Sequence, residues 1–382
     1  MSVTRLHNIP GFSIDRVAAA AGNDPDVVRL ENLDTDLAPP PEAVAATKAA
    51  IGQDDENSYL PFTGKAALRA AVADRLARQT SSAYAAEDVV ITCGGTEGMF
   101  DALLATTDPG DEVILTDPTY AGMIYRVRLA GAVPRLVPFV LHDGSWRLDL
   151  DALREALTDR TRAVFLMNPS MPSGAVLNEA EWAAVAALCE QHDLWLLYNA
   201  AMERIVFDGL PVLHPATLPG MAERTITIGS VSKEYRMIGW RIGWVAGSRS
   251  IMDDIARVHI YNVVTPTGIA QAGALAALRT PEADFANCVA TWQKRRDVIN
   301  EQLHDWPVIS AAGGWSQLLD VGALGLDSFT ASRRMLEHGQ IAATPMRDWG
   351  ERNSDQFVRL VFSNEPADRL ATLRERITRA LS

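Results

Sequence analysis

Helical segments alternate with short apolar runs from about residue 65 to residue 285, and this alternation constrains the fold more than any other feature of the chain. Five runs have the length and composition of buried strands: VVITCG (89–94), EVILTD (112–117), AVFLMN (163–168), LWLLYN (194–199) and TITIGS (225–230). Two of the helical segments are KAALRAAVADRLARQ (65–79) and EAEWAAVAALCEQH (179–192). Such alternation predicts an α/β fold in which helices cover a mainly parallel sheet.

Each predicted strand ends at a small or polar residue, and LWLLYN ends at the amide Asn199. In open α/β sheets, ligands bind outside the carboxyl ends of the strands, where loops and helix N-termini meet. We therefore expect the functional site at these strand ends.

The character of the chain changes after about residue 285, where a helix (TWQKRRDVINEQL, 291–303), a Gly-Gly-Trp turn (313–315), short strands and a final helix (ADRLATLRERITRAL, 367–381) follow. We predict a large domain over residues 46–285 and a smaller α+β domain over residues 286–382. An N-terminal arm, residues 1–45, is expected to pack with the small domain.

The formal net charge of -13 disfavours nucleic acid and anionic membrane surfaces as partners. About 18 consecutive apolar residues would be needed to span a bilayer, and no such run occurs. The N-terminus also lacks the apolar core of an export signal. Cys93, Cys189 and Cys288 are widely separated and odd in number, which predicts reduced core cysteines and a cytoplasmic location.

Several common site motifs are missing from the sequence. GGTEG lacks the third glycine of a dinucleotide-binding turn, and neither a Walker loop nor a Gly-x-Ser-x-Gly elbow occurs. The seven histidines form no His-x-x-x-His spacing, so we predict no metal site.

The segment GSVSKEYRMIGWRIGW (229–244) carries the strongest local motif. A predicted strand ends at Ser230, Lys233 follows three residues later, and Arg241 lies between two glycines. A lysine in such surroundings can have its pKa lowered and act as a nucleophile toward an aldehyde, while the hydroxyl and guanidinium can bind a phosphate. The motif alone leaves open a surface lysine beside a paired arginine.

This segment resembles the pyridoxal-phosphate lysine motif of the class I and II aminotransferases, which have the fold type I architecture. Other segments that resemble the family occur in the family's order: ITCGGTEGMFDAL (91–103), DPTYAG (117–122) and NPSMPSG (168–174). The resemblance covers about residues 28–380 and implies pyridoxal 5'-phosphate (PLP) as the cofactor. It also implies amino-group transfer between an L-amino acid and a 2-oxo acid by a ping-pong mechanism.

The resemblance assigns a role to each matching residue. Lys233 would hold the cofactor as a Schiff base and move the proton, Tyr120 would stack on the ring, and Arg359 would bind the substrate carboxylate. Asn199 occupies the position of the ring-nitrogen partner. The phosphate would be held by Gly95, Thr96, Ser230, Arg241 and Tyr59, the last from the neighbouring subunit, so a homodimer with shared active sites is implied. Trp315, Trp349 and Tyr59 are candidates for a substrate side-chain pocket.

Three positions depart from the family pattern. Asn199 stands where the family has an aspartate that keeps the ring nitrogen protonated, Met202 replaces a tyrosine, and Met171 replaces an asparagine. A charge-assisted hydrogen bond contributes about 1.5–3 kcal/mol and a neutral one about 0.5–1.5 kcal/mol. We therefore expect a neutral ring and a weaker electron sink, although an asparagine can present either its N–H or its oxygen.

These departures leave three hypotheses. In the first, the chain is an aminotransferase in which Tyr198 or Tyr235 replaces the missing partner of the cofactor's phenolic oxygen. In the second, it catalyses another PLP reaction, as a racemase or lyase. In the third, it is a slow enzyme or a PLP-binding homodimer without turnover. We favour the aminotransferase because Lys233, Ser230, Arg241 and Arg359 are all retained.

Overall fold

Two β-sheets organise the chain in the computed structural model, which describes residues 3, 6–7, 9–11, 13–80 and 83–382. The helices of this part are α1 (Ser13–Ala21), α2 (Pro41–Ala50), α3 (Ala66–Thr80), α4 (Gly94–Thr106), α5 (Ala121–Leu129), α6 (Leu150–Glu155), α7 (Glu179–Gln191), α8 (Arg249–Asn262), α9 (Gly268–Ala277), α10 (Glu282–Gln302), α11 (Ser328–Gly339), α12 (Ala367–Leu370) and α13 (Leu373–Leu381). The strands are β1 (Val28–Leu30), β2 (Val89–Thr92), β3 (Glu112–Asp117), β4 (Val133–His142), β5 (Ser145–Leu148), β6 (Thr161–Met167), β7 (Trp195–Asn199), β8 (Thr225–Ser230), β9 (Gly243–Ala246), β10 (Val308–Ile309), β11 (Ser316–Asp320), β12 (Ile341–Pro345) and β13 (Phe357–Val361).

The larger sheet has the strand order β2-β9-β8-β7-β6-β3-β4-β5. The run from β8 to β4 is parallel, whereas β9 pairs antiparallel with both β2 and β8, and β5 forms a hairpin with β4. Helices cover this sheet, so both faces of its central strands are buried, as in β8, where all six residues are buried. The predicted α/β class with a mainly parallel sheet is confirmed.

Helix α7 shows why the predicted elements begin where they do. The Asn178 side chain accepts a hydrogen bond from the Glu181 N–H, and the Glu181 carboxylate accepts one from the Asn178 N–H, which together form a capping box. Trp182 and Val185 are fully buried on the face of the helix that packs against the core.

The smaller sheet has the order β1-β12-β13-β11-β10. Strand β1 of the N-terminal segment pairs in parallel with β12, with Leu30 opposite Ala343. The predicted domain limits at residues 45 and 285 stay predictions, and both fall inside helices, α2 and α10. Residues 1, 2, 4, 5, 8 and 12 of the predicted arm lie outside the described residues.

The segment 367–381, predicted as one helix, forms two. Helix α12 ends at Leu370 and α13 begins at Leu373. Between them, the Thr372 hydroxyl donates a hydrogen bond to the Arg369 carbonyl at 2.7 Å. Such side-chain bonds compete with the helical backbone pattern.

Among the described helices, none combines the length and the apolar character needed to cross a bilayer. The three cysteines are free thiols. The cytoplasmic location stays a prediction.

Candidate active site

A cavity of about 370 Å³ lies where the carboxyl ends of β2, β3, β6, β7 and β8 meet. Eight of the nine predicted site residues line it: Gly95, Thr96, Tyr120, Asn199, Ser230, Lys233, Arg241 and Arg359. The ninth, Tyr59, is 85% exposed and does not line this cavity. One chain therefore assembles all of the predicted site except the residue assigned to a neighbouring subunit.

The start of helix α4 forms one end of the cavity. The helix begins at Gly94, which has a φ of 76°, a left-handed conformation that suits glycine. A Cβ on Gly94 would lie only 2.5 Å from Arg241 Nη2. Gly95 and Thr96 belong to the first turn, where backbone N–H groups have no acceptor within the helix. This end of the cavity is thus suited to bind an anion.

Arg241 completes the anion-binding end. Its backbone is left-handed, with a φ of 54°, and its Nη1 donates hydrogen bonds to the Ile238 carbonyl at 2.9 Å and to Ser232 Oγ at 3.5 Å. Within the described part of the chain, no carboxylate lies at salt-bridge distance from Arg241. Neutral oxygens therefore position a guanidinium whose charge is available to a ligand.

Lys233 lies beyond the end of β8, and its Nζ donates a hydrogen bond to the Leu33 carbonyl at 2.6 Å. Burial lowers the pKa of Lys233 to about 7; Asp34 opposes this shift, whereas Arg359 and Arg241 add to it. An ordinary lysine has a pKa near 10.4, so this amine is far more often neutral at physiological pH. A neutral lysine amine can act as a nucleophile or a base.

Arg359 lies on β13 and is fully buried. Its Nη2 donates hydrogen bonds to the Glu31 carbonyl and, at 3.3 Å, to Thr344 Oγ1, and the guanidinium lies 4.7 Å from the Trp349 ring centroid. In the part of the chain that the structure describes, its Nε has no acceptor and no carboxylate forms a salt bridge with the guanidinium. Burial lowers the pKa of Arg359 to about 10. The arrangement leaves a buried cation with capacity for an anionic ligand.

Asn199, at the end of β7, is 5% exposed and holds its amide in one orientation. Its Oδ1 accepts a hydrogen bond from the Ala201 N–H at 3.1 Å. Its Nδ2 lies 3.5 Å from Met99 Sδ and 3.7 Å from Met167 Sδ. The amide nitrogen therefore has only weak sulfur acceptors among the described residues.

The suggestion that Tyr198 or Tyr235 serves the cofactor is wrong. Side chains alternate along a strand, so Tyr198 points away from the face that Asn199 uses. The Tyr198 hydroxyl donates to Glu203 Oε1 at 3.2 Å, and the Tyr235 hydroxyl accepts a hydrogen bond from Arg75 at 2.5 Å. Neither tyrosine lines the cavity.

Further residues that were not predicted also line the cavity, among them Met99, Met167, Ser232 and Leu33. Sequence position offered a clue to three of them. Met99 follows Gly95 by four residues and so lies on the same helix face, Met167 ends β6, and Ser232 directly precedes Lys233. Leu33 had no such clue, because its contact with Lys233 joins residues 200 positions apart.

The segment that carries Trp349 is tied to the end of β3. The Thr119 N–H donates to the Trp349 carbonyl at 2.9 Å. Asp117 Oδ2 accepts hydrogen bonds from the backbone N–H groups of Glu351, at 3.1 Å, and Arg352, at 3.0 Å. These bonds hold Trp349, which lines the cavity, in contact with Arg359.

A buried histidine connects the start of α4 to the loop that carries Tyr59. His259 Nδ1 lies 2.6 Å from Glu97 Oε1, and its Nε2 lies 2.8 Å from the Phe62 carbonyl. The other carboxylate oxygen of Glu97 accepts a hydrogen bond from the Cys93 N–H, just before α4. Both ring nitrogens face acceptors, so the protonated imidazole is the form that satisfies them.

Stability should depend on pH through His259. Burial disfavours its charge, but the neighbouring carboxylates of Asp101 and Glu97 outweigh burial and raise the pKa of His259 from 6.5 to about 9. A raised pKa contributes stability that is fully present below pH 6.5 and is lost as the pH rises through about 9. The wild type should therefore lose stability relative to His259→Gln as the pH rises. We expect the difference between their free energies of unfolding to fall by about 1–3 kcal/mol across this range.

Denaturant unfolding of both proteins, with the exposed His304→Gln as a matched control, would measure this difference. His304→Gln should follow the wild-type profile. Parallel profiles for wild type and His259→Gln would contradict the prediction.

The fold and the cavity together define a PLP-dependent enzyme of fold type I. The sequence profile of the family described as "Aminotransferase class I and II" matches residues 25–377, and the chain belongs to this family.

Individual relatives agree with this assignment. Arginine–pyruvate transaminase AruH of Pseudomonas aeruginosa is 34% identical over 286 residues, which are 74% of this chain and 72% of the relative. The probable N-succinyldiaminopimelate aminotransferase DapC of Mycobacterium tuberculosis is 35% identical over 311 residues, 80% of this chain and 78% of the relative. The solved structure of aspartate aminotransferase from Thermus thermophilus with maleate superposes with a TM-score of 0.92 at 28% identity and full coverage of both chains.

These similarities confirm the predicted family, fold class and amino-group transfer, and they do not favour the racemase, lyase or non-catalytic hypotheses. The cofactor of this family is PLP.

The cavity fits that cofactor. Its volume of about 370 Å³ lies within the usual range for small-molecule sites. The turn at Gly94 leaves no room for a Cβ beside Arg241, as expected where a backbone and a guanidinium approach one phosphate. The amine of Lys233, with its pKa near 7, suits the aldehyde.

Proposed function

We propose that Lys233 and Arg359 act together on an amino acid substrate, with Lys233 at its reacting carbon and Arg359 at its carboxylate. The single observation that carries this proposal is the buried guanidinium of Arg359, which lines the same cavity as Lys233 and has no carboxylate partner among the described residues. A planar guanidinium binds a carboxylate through two parallel hydrogen bonds.

PLP, when bound, accepts the amino group of the substrate and withdraws electrons from its α-carbon. Gly95 and Thr96 would donate backbone N–H groups to the phosphate, and Ser230 and Arg241 would donate from their side chains. Tyr120 would stack on the ring.

Lys233 would carry the cofactor between turnovers and move a proton on and off the substrate once released. Its lowered pKa supports this role, since an efficient general base titrates near the working pH. The donated amino group stays with the protein until a second oxo acid removes it, so ping-pong kinetics follow.

The active unit would be a homodimer. Tyr59 is 85% exposed, and the family resemblance assigns it to the phosphate of the neighbouring subunit. Size-exclusion chromatography with light scattering should give twice the 41.5 kDa mass of one chain. A monomer that turns over substrate at the same concentration would contradict this assembly.

Cofactor absorbance tests the proposed function directly. Purified protein should be yellow, and a suitable amino acid donor should bleach it as the amino group moves to the cofactor; a 2-oxo acid should restore the colour. The relatives bear the names of arginine, aspartate and N-succinyldiaminopimelate enzymes, so a donor screen should include all three with neutral amino acids.

The same screen identifies failure. Protein that stays colourless after incubation with PLP would contradict the cofactor assignment. Protein that binds PLP but releases no 2-oxo acid with any donor would contradict the transfer activity.

A further inference from the structure

The amide orientation of Asn199 is set by the backbone. The Ala201 N–H donates to Oδ1 at 3.1 Å. Rotating the amide by 180° would place an NH2 group opposite that N–H, so the bond would be lost and two donors would face each other. The NH2 group is therefore the part of Asn199 that stays with the cavity-lining residues Met99 and Met167.

Among the described residues, the NH2 group has no strong acceptor. Its neighbours at hydrogen-bonding distance are two thioether sulfurs, which accept weakly, and Asn199 is only 5% exposed. A buried donor in this condition gains from any ligand that brings a lone pair to it.

The charges around the cavity also disfavour protonation of a ring nitrogen bound there. The guanidiniums of Arg241 and Arg359 line the cavity, and the one carboxylate among the described lining residues is Asp15, an exposed side chain. Neighbouring positive charge disfavours a further protonated group. A ring nitrogen in this cavity would meet a hydrogen-bond donor and a positive field, and both oppose its protonation.

We propose that Asn199 donates a hydrogen bond from Nδ2 to the ring nitrogen of PLP and holds that nitrogen unprotonated. The inference rests on the proposed function, because it requires PLP in this cavity. The structure thereby selects one of the two hydrogen-bonding modes that an asparagine allows. The enzyme works with a neutral pyridine ring, and Asn199 is a positioning residue that also sets the ring's charge.

Nitrogen NMR measures this charge without reference to turnover. Apoprotein is reconstituted with PLP labelled with ¹⁵N in the ring, and its shift is compared with those of the free labelled cofactor at low and high pH. The wild type should show the unprotonated shift at neutral pH. Asn199→Asp should move the signal by most of the distance to the protonated reference, because a carboxylate can accept the ring N–H.

Two further variants keep the test decisive if Asn199→Asp folds poorly. Asn199→Ala removes the donor, so the ring nitrogen should regain a pH titration that the wild type lacks. Met99→Leu removes one sulfur contact and should leave the ring shift at the wild-type value.

The outcomes separate the two proposals. A wild-type protein that binds PLP with a protonated ring overturns the role of Asn199 alone. The role of Asn199 is also overturned if the ring nitrogen titrates with pH in the wild type as it does in Asn199→Ala. A protein that binds no PLP overturns the proposed function and this inference with it.

Discussion

Lys233→Ala should lose turnover, with a fall in kcat of about 10⁴-fold or more. We propose two tasks for the amine, attachment of the cofactor and movement of the proton at the substrate carbon, and alanine can perform neither. Cofactor affinity should fall less than the rate, because the residues proposed to bind the phosphate, Gly95, Thr96, Ser230 and Arg241, are unchanged. Single-turnover bleaching with the best donor measures the rate, and cofactor titration of the apoprotein measures the affinity.

Two controls make the Lys233 result specific. Lys294→Ala removes an exposed lysine of α10 and should leave the rate unchanged. Borohydride reduction followed by peptide mass spectrometry should find the cofactor on the Lys233 peptide of the wild type and on no peptide of Lys233→Ala. A label on another lysine, or near-normal turnover by the variant, would refute the assignment.

Arg359→Met should separate function from stability. We expect kcat/KM to fall by about 100-fold, which corresponds to roughly 3 kcal/mol, the upper range for hydrogen bonds to a charged group. Without substrate, the free energy of unfolding should rise by about 1–3 kcal/mol, since a buried charge without an ionic partner is replaced by an apolar side chain. Burial also lowers the pKa of Arg359 to about 10, because it disfavours the charged form of the side chain. The same unfavourable burial of charge is removed when methionine replaces the arginine.

Arg296→Met is the matched control for this substitution. Arg296 is also buried, but it forms a salt bridge with Asp208, in which Nη1 lies 2.7 Å from Oδ2. Its loss should lower stability and leave kcat/KM near the wild-type value. Arg359→Lys, which keeps the charge without the planar fork, should recover only part of the lost kcat/KM. If Arg359→Met destabilised the protein as Arg296→Met does and retained kcat/KM, Arg359 would be a structural residue.

The strand ends that form the site could be predicted because local sequence determines them. Asn199 and Ser230 each terminate an apolar run, and in a parallel sheet such termini converge whatever lies between them in the chain. Strand β9 was not predicted. It has four residues, beginning at Gly243, and it pairs antiparallel between β2 and β8, so neither its length nor its direction follows from the alternation that identified the other strands.

Other features depend on contacts between distant residues. The segment around Trp349 reaches the site through hydrogen bonds to Asp117 that span 234 and 235 positions, and the approach of His259 to Glu97 spans 162. No local pattern encodes such distances. The error over Tyr198 had a different origin, because strand alternation already implied that it and Asn199 face opposite sides.

The hydrogen bonds between Asp117 and the segment that follows Trp349 have a consequence for enzyme engineering. Asp117 accepts hydrogen bonds from the main chain at positions 351 and 352, not from the side chains there. A mutational library can therefore exchange Glu351 and Arg352 for nearly any amino acid and preserve the attachment. Proline is the exception, because it has no N–H to donate. Positions 351 and 352 can thus be varied while the backbone contacts that position Trp349 stay intact.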